Sequence, residues 1–151
     1  MQVRKATLED LPHLIDFTKS EAMDAEGMDL DSEQVRQGIR MALEDSTKAM
    51  YWVLTDEEDT PVGSISALRE WSDWRAGYYW WIQSLYLAPK QRGKGHAARL
   101  IAEVNAEMQK QNGLELRLYV HRGNLAAMKA YERIGFDGLD YEIMKLSRKQ
   151  R

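Results

Sequence analysis

Apolar positions recur along this chain with two spacings, and the switches between them lay out its elements. Gln2 to Ala6 alternate briefly and predict a short strand. Thr7, with Asp10 three residues on, marks a helix start, after which Leu8, Leu11, Leu14, Ile15 and Thr18 share one helical face. Pro12 falls in the first turn, where its missing N–H does least damage. The acidic stretch Glu21 to Asp31 reads as a solvated loop ahead of a second helix, capped by Ser32 and carrying Val35, Ile39, Ala42 and Leu43 on one side. Met50 to Leu54 and Val62 to Leu68 are antiparallel strands joined by the polar turn from Thr55 to Thr60 and Pro61. Gly77 to Leu87, dense in Tyr, Trp, Ile and Leu, is the best candidate for a central strand. Pro89 stops it, and Ala97, Leu100, Ile101, Val104 and Met108 trace the face of a long helix that ends at Asn112-Gly113. Leu114 to Val120 predicts a strand, Asn124 to Ile134 a helix and Phe136 to Leu146 a last strand. The order βααβββαβαβ makes one mixed sheet, with a parallel, right-handed crossover from Gly77 to Val120.

No repeat or linker interrupts that order, so residues 1–151 are expected to form one domain. Hydrophobic residues at 44% and charged residues at 30% are ordinary for a soluble globular protein. No apolar run nears the ~20 residues a membrane span needs, and the opening residues lack a signal-peptide pattern, so a cytoplasmic location is expected. The absence of cysteine excludes disulfides, thiolate metal sites and a cysteine nucleophile, and three scattered histidines predict no metal. A net charge of −3 without a basic, aromatic-studded stripe argues against a nucleic-acid partner, and the basic Ser147 to Arg151 reads as a solvated tail.

Candidate chemistry concentrates at Arg92-Gly93-Lys94-Gly95-His96-Ala97, between the best strand and the longest helix. Two glycines let the backbone take conformations closed to other residues and approach a ligand closely, while unpaired N–H groups at a helix start point outward. Phosphate oxygens suit such a corner, with Arg92 and Lys94 beside it. A plain connecting loop explains the same residues equally well. The letters also fit a dinucleotide fingerprint through Gly93, Gly95 and Ala98 with Glu115 beyond. Five residues separate the strand from Gly93, however, and Glu115 begins the next strand instead of ending it.

Downstream, Asn124, Ala127 and Tyr131 lie along one side of a helix closed by Gly135-Phe136. Taken alone, Asn124 is a cap, Ala127 and Tyr131 are core and Gly135 is a terminator. The two stretches together resemble the GNAT N-acetyltransferase superfamily. Arg92, Gly95 and Ala97 match its R/Q-x-x-G-x-G/A turn, and Asn124, Ala127, Tyr131, Gly135 and Phe136 match its N-x-x-A-x-x-x-Y-x-x-x-G-F pattern. The likeness is strongest from about Tyr79 to Phe136, includes Val3 to Pro12, and is less specific from Ser20 to Trp74.

The resemblance implies an α/β (mixed α+β) fold, with a central sheet of about six strands splayed between the fourth and fifth and flanked by about four helices. It implies acetyl-CoA as acyl donor and a small-molecule or peptide amine as acceptor. Leu85, Tyr86 and Leu87 would bind pantetheine through their backbones, the amides from Arg92 to Ala97 (Gly93, Lys94, Gly95 and His96 between them) would hold the pyrophosphate, and Asn124, with Ala127 on its helix, would meet the pantetheine arm. Tyr131 becomes the general acid for the departing thiolate, since a phenol of pKa about 10 is protonated at neutral pH.

Several relatives place a carboxylate on the fourth strand, where this chain has Gln83 and Ser84, so the base stays open among an ordered water chain, Glu26, Glu70 and His121. Trp71, Trp74, Tyr78, Tyr79, Trp80 and Trp81, with the acidic run, could receive a cationic amine, but packing of the rings in the sheet or a subunit contact and a solvated acidic loop are the simpler reading. The missing fourth-strand acid also fits a rival from another class, an acyl-CoA sensor without transfer activity. The edges of a mixed sheet leave room for a homodimer.

Overall fold

The structure, a computed structural model, describes residues 1–149; Gln150 and Arg151 of the basic tail lie outside the described residues. The chain runs β1 (Gln2–Lys5), α1 (Leu11–Glu26), α2 (Ser32–Glu44), β2 (Met50–Thr55), β3 (Pro61–Ser72), β4 (Gly77–Leu87), α3 (His96–Lys110), β5 (Glu115–Leu118) and α4 (Leu125–Ile134). The strands form one sheet in sequence order. Neighbours are antiparallel up to β4, and β4 pairs with β5 in parallel across the α3 crossover. A single parallel pair leaves no doubly wound half for a dinucleotide.

Strand alternation decides which helix packs where. Trp52 and Leu54 on β2 point to the face covered by Leu100, Ile101, Val104 and Met108 of α3, together with Ile65, Ala67, Trp80 and Ile82. Val53, between them, points to the other face and meets Leu11, Leu14 and Ile15 of α1 and Ile39 of α2. Each large apolar side chain so buried contributes about 1.5–3 kcal/mol. At the N-terminal corner, buried Asp10 accepts the Thr7 N–H at 2.8 Å and both Arg4 terminal nitrogens at 2.8 and 3.0 Å, which locks β1 to the start of α1.

Pairing between β4 and β5 runs only from Tyr79↔Glu115 to Ile82↔Leu118. On the opposite edge of β4, Ser84 faces Ser66 and Ile82 faces Ala67, so Gln83 is an extra residue, a bulge that turns the strand. From Gln83 to Leu87, β4 therefore continues along β3 while its other edge leaves β5. This is the expected splay, and it begins at Gln83.

Three expectations change. The acidic stretch does not start as a loop: α1 continues to Glu26 and ends on Gly27 in the left-handed region, φ 63°. Glu21 lies seven residues after Leu14, two helical turns on, and so extends the inward face of α1. The cap of α2 is Asp31, which accepts Gln34 N–H at 3.0 Å, and Ser32 is the first helical residue. The last strand, Phe136 to Leu146, does not form. Phe136 packs on the core, but Leu139, Tyr141, Ile143, Met144 and Leu146 are exposed, and among the described residues the outer edge of β5 has no strand beside it. A strand pattern needs a ladder to join, and the sheet has five strands, not six.

Candidate active site

The splay exposes one edge of β4, and its amides are the first components of the site. The Leu85 N–H points away from β3 and is taken by a side chain from across the gap: Glu21 Oε2 accepts it at 2.6 Å. Tyr86 turns its ring to α1, stacked on Phe17 at 5.3 Å, while Leu85 and Leu87 pack against the core.

Beyond Leu87 the chain makes a short 3-10 turn, Pro89–Gln91, and reaches the corner before α3. Gly93 and Gly95 have φ of 74° and 82°, a region closed to most side chains, and a Cβ on either would meet nothing within 4 Å. The α3 ladder starts with Arg99 N–H on the Gly95 carbonyl at 3.3 Å, which leaves the preceding N–H groups of the helix start facing outward. His96 Nδ1, a buried atom, has no hydrogen-bond partner among the described residues. Lys94 is exposed beside these amides. Arg92 is used differently: its N–H bonds the Pro89 carbonyl at 3.3 Å, and its guanidinium reaches the Leu87 carbonyl at 3.0 Å and Asp24 at 3.3 Å over the Tyr86 ring. Arg92 thus braces the end of β4 against α1, and the open amides begin at Gly93.

Between the parted strands lies a cleft of about 400 Å³. Leu85 and Gln83 form one wall, Tyr119, His121, Asn124, Ala127 and Tyr131 the other, and Glu21, Ala25 and Glu26 of α1 the end. Leu85, Asn124, Ala127 and Tyr131, all singled out in the sequence, therefore meet here. Asn124 caps α4 by accepting Ala127 N–H at 3.1 Å through its side-chain oxygen, and its amide NH2 has no protein acceptor among the described residues. Tyr131 packs edge-on to Phe136 at 5.8 Å. Burial first, and then the Glu21 charge, push its phenol above the ordinary value, so it holds its proton at neutral pH.

Glu21 is the functional candidate missing from the sequence reading. Burial pushes its carboxyl up to about 7, with the Glu26 charge adding to the rise, against hydrogen bonds from Leu85 and Ser84 that pull it down. Its signal was present in the spacing, because a carboxylate two turns after Leu14 sits on a buried face. The three acids and bases named earlier divide. Glu26 and His121 line the cleft, but His121 Nδ1 accepts the Gly123 N–H at 3.0 Å, which uses its basic nitrogen. Glu70 pairs across from Tyr79 and accepts Trp81 Nε1–H at 3.3 Å, outside the cleft.

The aromatic set also divides. Trp80 is fully buried, Trp71 and Trp74 are exposed, and the ring faces of Tyr78, Tyr79 and Trp81 carry the chain's own Arg69, Arg75 and Arg117, with Arg117 3.6 Å from the Tyr79 centroid. Those faces are committed to internal cation–π contacts and do not form a cage for an amine. Among the described residues, no group of three or more potential metal ligands stands together.

Comparison with known proteins agrees with this geometry. Residues 13–136 match the Acetyltransferase (GNAT) family. A possible acetyltransferase from Clostridium difficile 630 has a similar structure, at 32% identity and TM-score 0.92 over 99% of this chain and 98% of that one. At the level of fold alone, an aminoglycoside 6'-N-acetyltransferase from Acinetobacter haemolyticus aligns at 14% identity, TM-score 0.80 and full coverage of both chains. A predicted acetyltransferase from Clostridium acetobutylicum, solved with acetyl-CoA, aligns at 20% identity and TM-score 0.77 over 97% of this chain and 95% of that one. No curated protein matches in sequence at a significant level. With the motifs, the splay at Gln83 and the glycine corner all in the family's order, the chain belongs to the GNAT acetyltransferase family.

Proposed function

We propose that this protein transfers the acetyl group of acetyl-CoA directly to a primary amine of a small molecule or peptide. The observation that carries the reading is the continuity of the site: the open β4 edge leads from a cleft holding Tyr131 and Asn124 to a corner of exposed amides. The corner fits a diphosphate because its glycines leave no Cβ in the way and its amides face outward. Pantetheine would extend along Leu85 to Leu87 and meet the NH2 of Asn124. The thioester carbonyl would receive the Leu85 N–H, whose worth grows as negative charge builds on oxygen in a dry site. Tyr131 then hands its proton to the leaving sulfur.

The acceptor is the least constrained partner. Glu21 and Glu26 at the cleft's end favour an amine that arrives as a cation, since opposite charges attract across a partly desolvated gap. The acetyl-CoA sensor without transfer is the rival, and the acids in the cleft favour turnover. Free-thiol release from acetyl-CoA with polyamines, aminoglycosides, amino acids and peptide N-termini tests the reading. Turnover with at least one amine is expected; tight acetyl-CoA binding without release across the panel would favour the sensor. The reading places the chain in the cytoplasm, and among the described residues no helix is long and apolar enough to cross a membrane.

The homodimer expectation becomes specific. The open outer edge of β5 and the strand-patterned, exposed stretch from Leu139 to Leu146 are complementary, and a second copy supplies both. Light scattering should give twice the chain mass, and Ile143→Asp with Met144→Asp should give the monomer. A monomeric wild type would reject this assembly.

A further inference from the structure

We propose that Glu21 is the base that removes a proton from the acceptor's ammonium, and that it holds the Leu85 amide until the thioester carbonyl takes its place. The inference rests on the acetyl-CoA reading above. Its geometry is the 2.6 Å hydrogen bond from Leu85 N–H to Glu21 Oε2, made in the gap where β4 has left β5. One N–H serves one good acceptor, so a thioester carbonyl at Leu85 and the carboxylate at Leu85 exclude each other. Donor binding therefore frees the carboxylate inside the cleft that also holds Tyr131.

The surroundings make the freed group basic. Glu26 faces it from α1, Tyr51 from β2, Ser84 from β4, and Tyr131 from α4, with His121 across the same cleft. None of these groups is a lysine or an arginine. Burial already raises its proton affinity, and the Leu85 hydrogen bond is one of the contacts holding that affinity down. Losing the bond raises it again at the moment an ammonium is to be deprotonated.

The step balances without another reactant. Glu21 takes one proton from R–NH3+, leaving R–NH2 and a neutral carboxyl. The nitrogen lone pair forms the C–N bond at the acetyl carbon, and the C–S bond breaks with its pair on sulfur. Tyr131 protonates the sulfur, and its phenolate recovers a proton from the acetylated nitrogen. Ammonium and thioester become amide, thiol and one proton, which Glu21 returns to solvent.

The test uses the full chain and Glu21→Gln, which keeps an acceptor for Leu85 but cannot take a proton. Acetyl-CoA titrated calorimetrically at pH 7, in two buffers of different ionisation enthalpy, should show proton uptake by the wild type, none by Glu21→Gln, and affinity at least as high in the variant. With the fastest amine of the panel, Glu21→Gln should lower kcat/KM at pH 7 by about 100-fold or more and flatten the acid limb near neutrality. A variant with the wild-type rate and limb overturns the base assignment, and so does a slow variant whose acid limb is unmoved. Failure of both proteins to bind acetyl-CoA would instead overturn the reading beneath it.

Discussion

Asn124 accepts the Ala127 N–H through its side-chain oxygen at 3.1 Å while lining the cleft, so one residue both starts α4 and offers an NH2 to a ligand. The two roles separate by substitution. Asn124→Asp keeps a strong cap and removes the donor; Asn124→Ala removes both. The aspartate variant should melt near the wild type but bind coenzyme A about 10-fold more weakly, the value of one net hydrogen bond. The alanine variant should in addition lose about 0.5–2 kcal/mol of stability. Unchanged binding in Asn124→Asp would reduce the residue to a cap.

Two glycines give opposite expectations for the same substitution. Gly95, at φ 82°, resists a Cβ by about 1 kcal/mol, and that Cβ would project into the open space assigned to the diphosphate. Gly95→Ala should therefore weaken coenzyme A by 10-fold or more with a modest fall in melting temperature. Gly38 lies within α2, has no left-handed φ, and would carry a Cβ with nothing within 4 Å of it. Gly38→Ala should stabilise by about 0.5–1 kcal/mol and leave coenzyme A binding alone, as calorimetry and thermal melts can check.

Removing the Tyr131 hydroxyl should cost rate more than affinity. Its phenol is pushed up by burial and by Glu21, so it remains a proton donor well above neutral pH. Tyr131→Phe should lower kcat by about 100-fold or more while the acetyl-CoA Kd stays within a few-fold. On the alkaline side, wild-type kcat should hold until strongly alkaline pH, where the phenol ionises. An unaltered kcat in the phenylalanine variant would take the general-acid role from Tyr131.

The pattern of the chain foretold the parts of the site made by local rules. A glycine pair before a helix, an asparagine cap and a strand rich in aromatics each announce themselves within a few residues, and Gly95, Asn124 and β4 stand where they were expected. Parts made by packing between distant segments were less visible. Glu21 reads as one acid in an acidic run until Leu14, two turns earlier, fixes which way it faces, and Leu85 lies 64 residues away from it. The arginines over Tyr79 and Trp81 come from a neighbouring strand and a turn, so the rings looked free in the sequence. Phe136 to Leu146 has the composition of a strand, but pairing is a property of two segments, and composition describes one.

Asp10 and Glu21 should pull stability in opposite directions as pH changes. Burial opposes the charge on Asp10, but hydrogen bonds from Arg4 and Thr7 prevail and hold its carboxyl below 3.8. Its stabilisation is thus present above that value and is lost as pH falls through the lower folded-state pKa. Glu21 is the reverse case: burial raises it from 4.5 to about 7, so the folded state binds the extra proton and loses relative stability as pH rises across that interval. Glu21→Gln removes this loss. Its melting temperature should match the wild type near pH 4 and exceed it at pH 8, whereas Asp10→Asn should melt lower at pH 7 and converge with the wild type in acid. A Glu21→Gln protein with no gain at pH 8 would mean that the carboxyl ionises in the folded chain as easily as in water, and that the cleft does not hold it as a near-neutral base.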